Sequence, residues 1–98
     1  MEDNSIIVLA TAKAKNGSEA ELEQLTQALV EPTRAEQACI QYDLHISDDK
    51  KSFMFYEIWT SKEALDQHIA APHLQNFLEK TKGILAEPLD VTLWKKIS

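Results

Sequence analysis

Apolar positions along the chain change period several times, and each change marks an element. Ile6-Ile7-Val8-Leu9 opens a stretch that then alternates small and polar residues up to Lys15, the pattern of a β-strand. Asn16-Gly17 is a turn signal that ends it. Ser18 and Glu21 have the spacing of a capping box, in which each side chain satisfies an amide left free at a helix start. Leu22, Leu25 and Leu29 then recur at helical spacing with Ala28 beside them, giving one apolar stripe. Pro32 has no amide proton, so it is expected to end or kink this helix near Glu31. Thr33 to Ala38 then forms a helical turn leading back to the sheet.

A second strand is predicted over Cys39 to Ser47, with Tyr42, Leu44 and Ile46 on one face and Asp43 and His45 on the other. The polar link Ser47-Asp48-Asp49-Lys50-Lys51 is short enough to make an antiparallel hairpin with a third strand, Ser52 to Trp59. Thr60 and Glu63 repeat the capping-box spacing and predict a helix from about Ser61 to Ala70. Pro72 breaks that helix and suits the first turn of a new one, which carries Leu74, Phe77 and Leu78 on one face and stops near Gly83. Leu89, Val91 and Leu93 alternate with Asp90, Thr92 and Trp94, so Leu89 to Ile97 is a fourth strand. The order is the βαββαβ plan of a ferredoxin-like α+β fold: a four-stranded antiparallel sheet with helices on one face. A chain of 98 residues is the length of one domain spanning 1–98.

One strand departs from the usual alternation. In Phe53-Met54-Phe55-Tyr56-Glu57-Ile58-Trp59 both faces are apolar, and Ile6 to Leu9 is the same. Helices on one side of a sheet cover only one of those faces. The other is expected to pack against a second copy of the chain, most simply in a twofold homodimer.

Composition removes several classes of function. The net charge is −6 and the pI about 4.9, which argues against nucleic acid and against an anionic membrane surface as partners. The apolar runs are too short to span a bilayer. The acidic start Met1-Glu2-Asp3-Asn4-Ser5 is wrong for a secretory signal, so the cytoplasm is the expected location. Cys39 is the only cysteine, which leaves no intrachain disulfide and no multi-cysteine zinc site.

Candidate chemistry concentrates between Phe55 and Phe77. Glu57 lies between Tyr56 and Ile58 in an apolar strand, where a carboxylate needs a partner. Either it makes a structural bond, with Lys62 or Arg34 as candidates, or it is a base with a raised pKa or an anchor for a histidine. His68 and His73 are five residues apart across Pro72. In a continuous helix that spacing separates their faces, so the i, i+4 metal pair is absent and no metal ligand set is expected. With the break, both histidines can look into one pocket mouth. Arg34 is the only arginine and is expected to bridge to Glu36 or to a dimer partner. Cys39 reads as a small buried hydrophobe.

The segments "PTRAEQACIQYDLHIS" and "FYEIWTSKEALDQHIAAPHLQNF" resemble the antibiotic biosynthesis monooxygenase family over almost the whole chain. The most specific part is E-x-W-x-S-x-x-A-x-x-x-H-x-x-x-P-H, from Glu57 to His73. The resemblance implies a dimeric α+β barrel with a pocket between sheet and helices in each subunit. It also implies oxygenase chemistry without flavin, haem or metal. Carried onto these positions, it makes His68, His73, Glu57 and Trp59 the candidate catalytic group. Tyr42, His45, Phe55, Leu65 and Phe77 become the candidate substrate contacts. Each has a plainer reading: a core aromatic, a structural ion pair or a surface histidine. Two departures stand out. Ala38 replaces a glycine common before the second strand, and Ile6 to Ala12 lacks the asparagine of haem-degrading relatives.

The expected activity is therefore a cofactor-independent oxidation of a quinol-like or polyphenolic aromatic by dioxygen. The alternatives are an isomerase of a small hydroxyketone phosphate, as in autoinducer-2 processing, and a non-catalytic dimeric metabolite-binding protein. A phosphorylated substrate calls for cations at the pocket mouth, and the nearby candidates are Lys50, Lys51, Lys62 and Lys80.

Overall fold

The computed structural model describes residues 4–98. Strands β1 (Ile6–Lys13), β2 (Cys39–Ile46), β3 (Ser52–Trp59) and β4 (Asp90–Trp94) form one antiparallel sheet in the order β2-β3-β1-β4. Helical segments α1 (Glu19–Gln27) and α2 (Val30–Arg34) link β1 to β2, and α3 (Lys62–Ala70) and α4 (Pro72–Thr81) link β3 to β4. Each strand–helix–strand half leaves a gap of one strand, and the other half fills it. This is the ferredoxin-like α+β arrangement that the pattern predicts.

Register explains where the core sits. Val8, Ala10 and Ala12 on β1 stand opposite Glu57, Phe55 and Phe53 on β3. Tyr42 and Leu44 on β2 stand opposite Glu57 and Phe55 from the other side. Side chains alternate along a strand, so all of these share the face that the helices cover. Leu22 and Leu29 from the first crossover and Leu65 and Phe77 from the second close over it. Small alanines on β1 lie across from large aromatics on β3, which balances volume across the sheet. Where no helix side chain fills the space over Ala10, a cavity remains.

The opposite face is apolar as well. Ile7, Leu9, Met54, Tyr56 and Ile58 are half-buried there, beside Trp94 at 54% and Ile40 at 55% exposure.

Three local expectations change. The first helix does not run to Glu31; it tightens at Ala28 and Leu29, where the Leu29 amide turns to the Thr26 carbonyl at 3.2 Å. Buried Thr26 contributes, since its hydroxyl donates to the Leu22 and Glu23 carbonyls at 2.9 Å, a back-bond that weakens a helix. Pro32 falls in the first turn of α2, where its missing amide leaves no bond unmade. Neither predicted capping box forms. Ser18 makes no side-chain cap, and the Glu19 carboxylate instead accepts from the Gly17 amide at 2.9 Å. The cap of α3 is Ser61 rather than Thr60, its hydroxyl accepting from the Ala64 amide at 3.1 Å. Ala38 keeps an ordinary negative φ, so alanine meets no backbone strain where relatives carry glycine.

Candidate functional site

The site begins with two same-face residues of β3. Glu57 and Trp59 are two apart, so both point under the helices, and both are buried, at 4% and 0% exposure. Trp59 Nε1–H donates to Glu57 Oε1 at 2.9 Å. Neither expected cation reaches Glu57. Lys62 pairs with Asp66 along α3, and Arg34 donates to the Tyr42 carbonyl and to Asp43 on β2. Arg34 therefore bridges to Asp43, not to Glu36. Burial pushes the Glu57 carboxyl up to about 7, against the Trp59 hydrogen bond and with the charge of Glu36 adding to the rise.

The two histidines come together at the helix break. Ala71 is extended, with φ −67° and ψ 147°, and Pro72 starts α4 at its first position. His68 thus sits in the last turn of α3 and His73 in the first turn of α4. They do not meet in the pocket, as the break suggested, but on Glu36 in the connection between α2 and β2. Glu36 Oε2 lies 2.7 Å from His68 Nδ1 and 2.9 Å from His73 Nε2. A carboxylate only accepts, so both facing nitrogens carry protons. That leaves Nε2 of a neutral His68 ring as an acceptor. The His68 ring tilts over Trp59 at 4.5 Å and meets the Tyr42 ring edge-on at 5.8 Å. Burial lowers the His68 pKa, while the Glu36 bond and charge oppose that shift.

A cavity of about 210 Å³ lies between sheet and helices. Its apolar wall includes Ala10, Phe55, Leu65, Leu74, Phe77 and Val91, and its polar side chains are Tyr42, Glu57 and His68. That volume is below the ~300–1,000 Å³ usual for drug-sized ligands, so it suits a small molecule. Tyr42 stacks on Phe55 at 5.0 Å, and burial followed by the Glu57 charge holds its phenol protonated far above neutrality. No lysine or arginine lines this cavity. Cys39 is half-buried and its thiol is pushed up to about 11, chiefly by burial, which keeps it unreactive.

Most of the expected residues are gathered here, but three are not. Trp59 stands behind the wall, its N–H already used by Glu57. His73 is outside the cavity on Glu36. His45 is exposed on the other face of the sheet, its Nδ1 3.4 Å from the Met54 carbonyl, because strand alternation turns it away from Tyr42 and Leu44. Glu36 is the residue that sequence reasoning missed. No local pattern marked it, since its two partners stand 32 and 37 residues further along the chain.

Comparison with known proteins agrees with this architecture. The profile described as "Antibiotic biosynthesis monooxygenase" matches residues 5–80. A Synechocystis relative, "Uncharacterized protein sll1783", is 34% identical over 95% of this chain, and the chain spans 64% of that relative's length. "Putative monooxygenase Rv0793" of Mycobacterium tuberculosis is 33% identical over 90% of this chain and 87% of its own. Its solved structure superposes with a TM-score of 0.91, covering 96% of both chains at 31% identity. "Putative monooxygenase YcnE" of Bacillus subtilis is 34% identical over 88% of this chain and 92% of its own. Among the described residues no helix is long and apolar enough to cross a membrane. With the profile covering β1 to β3, the histidine corner and nearly all of α4, the chain belongs to the antibiotic biosynthesis monooxygenase family.

Proposed function

We propose that the protein is a cofactor-independent monooxygenase that oxidises a small quinol-like or polyphenolic aromatic with dioxygen. The observation that carries this reading is His68 on the wall of an apolar cavity, with its Nδ1 held 2.7 Å from the Glu36 carboxylate. A base oriented through its far nitrogen presents the near one, Nε2, to a substrate proton.

Proton removal is the step that matters, because a phenolate gives an electron to dioxygen far more readily than a phenol does. The substrate is its own reductant. A hydroquinone and O₂ give a hydroxyquinone and water: one oxygen atom forms the new C–O bond and the other leaves as water with two substrate hydrogens. No outside electron donor enters that balance. Phe55, Leu65 and Phe77 hold the ring and dioxygen together and keep water out, while Tyr42 and Glu57 supply the polar contacts. Trp59 acts through Glu57, and His73 through Glu36.

The chemistry of the lining disfavours the isomerase alternative, since a phosphate would meet apolar wall and a carboxylate rather than a cation. The apolar outer face of the sheet supports a homodimer, and a single half-buried cysteine suits the reducing cytoplasm.

Oxygen uptake with a panel of hydroquinones, using chelator-treated protein, tests the activity. The expected result is quinol-dependent uptake that His68→Ala removes. Uptake unaffected by that substitution sinks the assignment of the base, and no uptake with any quinol sinks the reaction. Light scattering should give twice the mass of the chain.

A further inference from the structure

We propose that Glu36, His68 and His73 form a binding site for a divalent first-row transition metal, with zinc as its most suitable ion. Glu36, His68 and His73 each offer a ligand atom within 4.8 Å of the other two, and Glu36 Oε2 lies 2.7 Å from His68 Nδ1 and 2.9 Å from His73 Nε2. They come from separate segments, the α2–β2 connection and the facing ends of α3 and α4, so the fold itself assembles the set. At zinc bond lengths of about 2.0–2.2 Å, neighbouring ligands of a four-coordinate ion stand ~3.4 Å apart. The two hydrogen-bonded pairs, at 2.7 and 2.9 Å, need to open by less than an ångström.

The chemistry of the donors narrows the ion. Two imidazoles and one carboxylate suit zinc and its first-row neighbours, whereas calcium and magnesium prefer all-oxygen cages. No lysine or arginine competes, because the ion pairs described for Glu36 are with these two histidines alone. Both rings can remain neutral on binding: each moves its proton to the opposite nitrogen, and the carboxylate exchanges two N–H donors for the metal. Access is available from outside. The Glu36 and His73 side chains are 20% and 23% exposed against 3% for His68. Glu36 also lines a surface hollow with Gln37, Thr60 and Gln67, which leaves room for water in an open coordination position.

The site lies behind the cavity wall, so the metal touches His68 rather than the substrate. With Nδ1 coordinated, a neutral His68 ring must carry its proton on Nε2 and cannot accept another. Resting on the proposed oxygenase reading, the metal therefore switches the base off, and zinc inhibits quinol oxidation.

The test uses the full chain, freed of metal by chelator and dialysis. Calorimetry with zinc should give one site per chain, and cobalt(II) should give the visible absorption of a low-coordinate N/O site. His73→Ala and Glu36→Gln should each weaken binding by about 100-fold or more, while His45→Ala on the far face leaves it unchanged. Nitrogen NMR of the unmutated protein removes dependence on how the variants fold: zinc should shift His68 Nδ1 and His73 Nε2 and leave His45 in place. Shifts confined to His45, or binding that survives both ligand substitutions, overturn the site, as does no binding in the micromolar range. Oxygen uptake is read separately. Stoichiometric zinc that leaves quinol oxidation intact keeps the site and removes His68 as the base.

Discussion

Glu57 and Glu36 are both drawn into the core's histidine corner, yet the chain holds them in opposite ways. Glu57 sits within β3, and its hydrogen-bond partner is the tryptophan two residues along the same strand. Glu36 sits in a connection, and its partners are 32 and 37 residues away. The first carboxylate is enclosed by its own strand neighbours and satisfied once. The second is assembled by tertiary packing and accepts from two rings at 20% side-chain exposure. Local periodicity can announce a buried charge, but only convergence of distant segments makes a relay of titratable groups.

The largest effect should separate the two by activity. His68→Ala is expected to lower quinol-dependent oxygen uptake by ~10²–10⁴-fold, the range of general-base help. Glu36→Gln should lower kcat by about tenfold or more, because an amide does not hold the ring as a carboxylate does. Glu57→Gln should mainly raise KM, since it changes a cavity contact and not the base. Equal kcat losses for the two glutamate variants would erase the distinction.

Stability should follow the other carboxylate. Trp59→Ala removes a fully buried ring and the sole hydrogen-bond donor described for Glu57. It is expected to cost about 3–5 kcal/mol, read from urea unfolding. Glu57→Gln should act in the opposite direction. With its folded pKa raised from 4.5 to about 7, Glu57 holds a proton in the folded state that the unfolded chain has released. Stability from this group is therefore lost as pH rises from about 4.5 to 7, and the loss is complete above that range. Glutamine keeps an acceptor for Trp59 without the charge, so the variant should gain on the order of 1–3 kcal/mol at pH 8 and little at pH 4. Parallel pH profiles for the two proteins would mean that Glu57 ionises in the fold as it does in water.

The same contrast explains what was legible in the sequence. The faces of strand β3 could be read residue by residue, because period two puts Glu57 and Trp59 on one side. Pro72 disclosed the helix break for the same local reason. The bond between Glu57 and Trp59 was not legible, since Glu57 was expected to meet Lys62 or Arg34. Pro32 misled, since a proline in the first turn of a helix looks like one that ends the preceding helix, and buried Thr26 gives no pattern of its own. His45 misled too: alternation placed it opposite Tyr42, and only the family resemblance drew it into the pocket. Glu36 was mistaken for a partner of Arg34, because two residues of separation suggest a contact that backbone direction does not allow.

That mistaken pairing yields the smallest and sharpest test. Arg34 contacts the Tyr42 carbonyl through Nε and Asp43 through its terminal nitrogen, at 56% side-chain exposure. An exposed pair of this kind contributes little to stability. Arg34→Ala is expected to lower Tm by at most a few degrees and to leave quinol oxidation, zinc affinity and the His68 nitrogen shifts as they are. If Arg34 instead held Glu36, its removal would free the carboxylate and move all three together. A small thermal change with unmoved histidine resonances assigns Glu36 to the two rings, and the arginine to the outer edge of β2.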